Sequence, residues 1–207
     1  ALLASAFVAP HQALATATVI PAGGGTNISI DTTSAGGSGT FIELEGPALT
    51  ETAAGDISAG THTITLPSDW EFNTGSNITI LKVGNIVLGS TIVTPTQTSF
   101  SFVVNSTSTS ASVLIFNGIK VRPTGTTPST GTMTHSGAEI AGVDENTNFG
   151  TLSTIAGAAT KIVFTAELGN VVYGSELNPQ IVVKPQDQFG NDSMSGLGAS
   201  KMVMLAL

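Results

Sequence analysis

The side chains able to do chemistry in this sequence are few and scattered. Histidine occurs only at His11, His62 and His135. No H-x-H or H-E-x-x-H spacing joins any two of them, so no local motif presents paired imidazoles to a metal. They read as surface histidines. Oxygen ligands are better grouped. Asp144 and Glu145, next to Asn146, form one acidic loop, and Asp187, Asn191 and Asp192 form a second. Hard cations take ligands of this kind, so these five residues are the candidate calcium ligands, although neither loop has EF-hand spacing. Asp and Asn also serve as ordinary turn formers. Trp70 is the single tryptophan, flanked by Asp69 and Glu71. An indole ring is a natural platform for a sugar, which makes Trp70 the candidate carbohydrate contact. A glycosidase would need two carboxylates across a cleft, and no pair in the sequence is marked out for that. No G-x-S-x-G elbow is present. The glycines at 23–25 lack the strand-to-helix setting of a phosphate loop. Cysteine is absent, which excludes disulfides and thiolate chemistry. No catalytic residue is assigned and no enzyme is expected.

The elements that would carry these residues are strands. The chain has 207 residues, of which 41% are hydrophobic and only 10% charged. Thr, Ser and Gly fill the difference, a mixture that suits half-buried strands and tight turns. Disorder calls for low hydrophobicity and high net charge, and neither holds. Alternating apolar and polar residues predict strands at 16–20, 26–30, 40–45, 61–66, 77–83, 85–88, 99–104, 112–121, 130–134 and 148–155. No segment sustains helical spacing with caps; residues 50–58 offer one turn, broken by Gly55. The expected fold class is all-β: an immunoglobulin-like β-sandwich plus a partial second sandwich.

Four parts are expected along the chain. Residues 1–15 end in Ala13-Leu14-Ala15 after an apolar run, which matches the end of a secretory signal cleaved before Thr16. That run is too short to span a bilayer. Residues 16–39 form an N-terminal strand segment and a Gly/Ser hinge. Residues 40–156 form the sandwich, and 157–207 begin a second module with strands at 159–166, 180–184 and 201–207.

Net charge is −8, and Arg122 is the only arginine. The six basic residues are dispersed, so the basic footprint that nucleic acid requires is missing. An anionic membrane surface is disfavoured for the same reason.

The last quarter of the chain resembles the bacterial immunoglobulin-like repeats of invasin-type adhesins and S-layer-associated proteins. The resembling residues are ATKIVFTA at 159–166, YGSELNPQIVVKPQDQFGN at 173–191 and KMVML at 201–205. Val182, Val183, Asp187, Gly190 and Asn191 fit the family's strand followed by D-x-x-G-N, with the valines adjacent where the family alternates them. The resemblance implies tandem, non-catalytic modules on a cell surface. The expected partners are therefore other copies of the chain or other surface proteins, with assembly by strand exchange through residues 16–30 as one route. The alternative is a carbohydrate-binding module of a secreted enzyme, with polysaccharide as its partner.

Overall fold

The protein is described by a computed structural model that covers residues 16–36, 39–166, 172, 174–175 and 181–198. The expected signal remnant at 1–15 and the expected strand at 201–207 lie outside these residues. The strands are β1 (Thr18–Ile20), β2 (Ile28–Ser29), β3 (Ile42–Glu43), β4 (Ala48–Thr50), β5 (Gly60–Thr65), β6 (Trp70–Phe72), β7 (Ile78–Val83) and β8 (Val87–Leu88). They continue with β9 (Ile92–Val93), β10 (Ser99–Ser106), β11 (Val113–Asn117), β12 (Lys120–Pro123), β13 (Thr130–Gly137), β14 (Gly150–Ile155), β15 (Lys161–Phe164) and β16 (Val183–Gln186). The fold is all-β, as the alternation predicts.

Two sheets form the sandwich. One has the order β1-β4-β11-β7-β9 and the other β2-β14-β13-β5-β10-β8. A small sheet, β3-β12-β6, adds to the same core. Period 2 does the sorting. In β10, Phe100, Phe102 and Val104 point inward, while Ser101, Val103 and Asn105 are exposed. Phe116 of β11 meets Phe100 and Phe102 across the sandwich, with ring centroids 5.7 and 5.2 Å apart. Phe72 of β6 packs edge-on against Phe100 at 5.6 Å. Each buried phenylalanine contributes about 2 kcal/mol of burial energy.

The expected strand at 112–121 is two strands. Gly118 adopts φ +77°, in the left-handed region that L side chains avoid. The turn there ends β11 in the five-stranded sheet and sends β12 into the small one. Residues 50–58, read as one helical turn, instead form a loop tied by two buried carboxylates. Asp56 accepts from Thr52 N, Ala53 N and Thr52 Oγ1. Glu51 is 2% exposed and accepts from Ile57 N at 3.1 Å and Ser112 N at 2.9 Å. Glu51→Ala should orphan both amides and lower stability by about 2 kcal/mol, measured by denaturant unfolding. A variant as stable as the parent would show that these bonds contribute nothing.

The N-terminal segment departs from expectation. Residues 16–39 are part of the sandwich. β1 pairs antiparallel with β4, and β2 pairs parallel with β14. Gly23 and Glu45 exchange backbone bonds of 2.9 and 3.1 Å, and Ile30 is fully buried. The expected hinge is docked as well: Thr33 Oγ1 donates to Gly125 O, and Arg122 Nη1 donates to Gly39 O. Apolar residues at 17, 19, 22, 28 and 30 find their burial within the chain, so this segment is not an unpaired arm.

Directly opposed residues share a face of a sheet. On the outer face of the five-stranded sheet, Ile20, Ala48, Ile115 and Leu81 line up across four strands. Thr18, Thr50, Val113 and Val83 form the next row. Both rows are free of charge. Apart from these sheets, β15 and β16 make a two-stranded antiparallel ribbon.

Candidate functional site

Trp70 is not a surface platform. It is 3% exposed, on the inward parity of β6 shared with Phe72. Its Nε1 is the only buried side-chain nitrogen or oxygen without a hydrogen-bond partner among the described residues. The sugar contact expected of it is therefore unavailable to a ligand at the surface.

Three of the five candidate calcium ligands, Asp144, Asp187 and Asp192, spend carboxylate oxygens on the protein itself. Asp144 Oδ1 accepts from Asn146 N at 3.0 Å and from Thr147 Oγ1 at 2.8 Å. The Thr147 hydroxyl, and then the Asn146 amide, hold its carboxyl below the usual range. Asp192 pairs with Lys184 at 2.7 Å and Gln186 at 3.2 Å, and these contacts lower its pKa in that order. Asp187 is fully buried. Burial alone would raise its pKa, but hydrogen bonds from Asn191, Gly157 and Phe189 outweigh it and leave it lowered. Among the described residues, no three His, Asp or Glu side chains are placed to hold one ion.

What Asp187 does instead is fasten the joint between the sandwich and the β15–β16 unit. Oδ1 accepts from Phe189 N and Asn191 N, both at 2.9 Å, closing the turn of the D-x-x-G-N motif. Oδ2 accepts from Gly157 N at 3.0 Å and Asn191 Nδ2 at 2.9 Å. Asn191 Nδ2 also donates to Thr126 O of the sandwich at 2.8 Å. From the sandwich side, Asp31 accepts from Ala158 N at 2.8 Å and from Gln188 Nε2 at 3.2 Å. Ser193 Oγ donates to Gly157 O. Two carboxylates thus hold consecutive linker amides, one from each side. Bonds to a charged acceptor are the strong kind.

The second constellation joins residues 73 positions apart. His62 of β5 and His135 of β13 are both buried, at 0 and 8% exposed. His62 Nδ1 lies 3.1 Å from His135 Nε2, and His62 Nε2 lies 2.9 Å from Ser58 O. His62 stacks on Phe102, and His135 on Phe149. Burial lowers the pKa of His62, opposed by the Ser58 carbonyl. Burial, and then the neighbouring His62, lower His135 to about 4. Both rings are neutral at pH 7. His135 also lines a cleft of about 280 Å³ shared with Glu139, Val143, Asp144 and Glu145.

No local spacing links these histidines, and the structure places them in the core and not at the surface. The signal that would have found them is parity. His62 shares the inward parity of Ile64, and His135 that of Met133.

The chain matches no protein-family model, no curated protein and no solved structure. The site must be interpreted from its own geometry.

Proposed function

We propose that the chain is a non-catalytic structural or adhesive module of a secreted, cell-surface protein, in which β units follow one another through a stiffened joint. The observation that carries this reading is the double carboxylate clamp on Gly157 and Ala158. A flexible connection between independent domains would leave these amides to water. Here the buried carboxylate of Asp187 and the exposed one of Asp31 fix them. A stalk or a layer needs such fixed joints, because it works by holding a distal surface in place.

The uncharged outer rows of the five-stranded sheet support self-association as the partner relation. In a chain of net charge −8, two copies repel least where neither bears charge. Strand exchange through residues 16–30 would then require the segment to leave its own sandwich for a neighbour's. The carbohydrate-binding reading loses Trp70, the residue on which it rested.

The test is topological. Antibodies raised against the sandwich should label intact source cells at the surface. Labelling only after permeabilisation would overturn the proposal.

A further inference from the structure

The orientation of the His62–His135 pair follows from a carbonyl. Ser58 O can only accept, so His62 Nε2 must carry the proton it shares with that oxygen. A neutral His62 then has a bare Nδ1. The 3.1 Å contact therefore requires His135 Nε2 to donate. A neutral His135 in turn has a bare lone pair on Nδ1. That atom has no hydrogen-bond partner among the described residues, and it is not among the solvent-sealed atoms without one. The ring is more than nine-tenths buried, and it borders the cleft lined by Glu139, Asp144 and Glu145.

The ionisable side chains at this cleft offer lone pairs, from the carboxylates of Glu139, Asp144 and Glu145 and from His135 Nδ1. The carboxylates bring negative charge, and no lysine or arginine lines the cleft. Its complement is a cation. A carboxylate cluster alone would suit a hard ion, but a tautomer-locked imidazole nitrogen suits a borderline one. Histidines that ligate metals commonly donate their other N–H to a fixed acceptor, which sets the ring and raises its basicity. The Ser58 carbonyl and His62 supply that arrangement here, two bonds deep.

We infer that this cleft is an open site for a borderline divalent transition-metal ion, of which zinc is the test case, with His135 Nδ1 as the nitrogen ligand and carboxylates of Asp144, Glu139 or Glu145 as oxygen ligands. Asp144 Oδ1 is committed to its turn, which leaves Oδ2 for the ion. Glu139 and Glu145 are exposed, so their rotamers are free to reach inward. No three such groups are already converged, so water fills the remaining positions.

Long-range proton–nitrogen NMR spectra of the full chain test each step. Without metal, the proton on His135 should sit on Nε2. Zinc chloride should shift the His135 Nδ1 resonance saturably, while calcium chloride should not. The buried histidines are left intact in the deciding variant, Glu139→Gln/Asp144→Asn/Glu145→Gln, which alters only exposed side chains. It should weaken the zinc-dependent His135 shift by about tenfold or more. A proton on His135 Nδ1 would overturn the inference. So would zinc binding that leaves the His135 ring nitrogens unmoved, an equal response to calcium, or a triple variant with unchanged affinity.

Discussion

A chain beginning at residue 31 should lose its cooperative fold or melt far below the full protein. Removing residues 16–30 takes away β1 and β2 and opens the edges of β4 and β14. It also removes the Ala17 bond to Ala141 O and the Ala22 bond to Phe149 O. Ile30 is fully buried, and truncating such a side chain costs about 2–5 kcal/mol on its own. Gly25 shows how closely the segment is fitted. A Cβ there would lie 2.5 Å from Leu152 Cδ2 and 2.7 Å from Thr151 O, so only glycine lets this backbone pass. The summed loss is on the order of 5 kcal/mol or more, comparable with the whole stability of many domains. In a domain of this size that corresponds to a melting point about 10–20 °C lower. Thermal unfolding by circular dichroism measures it. An unchanged melting curve would mean that residues 16–30 are an accessory arm. Adding back a synthetic 16–30 peptide should restore much of the loss. That rescue is also the direct assay for strand exchange between copies.

Acid should begin to destabilise the protein as the pH falls below about 6.5. His62 and His135 are held neutral when folded and ionise near pH 6.5 when unfolded. Below that pH the unfolded chain binds more protons than the folded one, so stability falls as pH falls. The loss begins near pH 6.5 and for His135 is complete just below about pH 4. From His135 it reaches roughly 3 kcal/mol, at 1.36 kcal/mol per pKa unit. Asp144, Asp187 and Asp192 have pKa values lowered from 3.8, so their stabilising charge is lost only below that range. The window between 6.5 and 4 therefore belongs to the histidines. Denaturant midpoints at pH 7.5, 5.5 and 4.5 should decline steadily. The variant His62→Gln/His135→Gln should remove most of the slope. A flat wild-type profile would show that the pair is not buried in its neutral form.

How far the sequence could be read depended on whether each signal was local. Strand β10 was plain because Phe100, Phe102 and Val104 alternate with Ser101, Val103 and Asn105 over a long run. Strands β4, β6 and β9 hold only two or three residues each, too few for a period to register. The run at 112–121 looked continuous because alternation survives on both sides of Gly118, and only the sheet change reveals the break. An indole suits a sugar platform and a core equally, and only the parity Trp70 shares with Phe72 in a three-residue strand marks it as inward. The acidic loops had the right composition for calcium, yet composition does not show which oxygens the turns already use. Asp187 is the clearest case. Its motif was legible as a turn, but its bond to Gly157 crosses 30 residues and depends on tertiary packing.

The joint is the centre of this account, and backbone nitrogen relaxation of the full chain tests it directly. With Asp31 and Asp187 holding the linker, amides of the sandwich and amides of β15, β16 and the 187–198 loop should report one rotational correlation time. Asp187→Ala should leave the sandwich resonances in place and give the second unit a shorter time of its own. Two separate correlation times in the unaltered protein would contradict the stiffened joint, and with it the proposal that the chain serves as a rigid surface module.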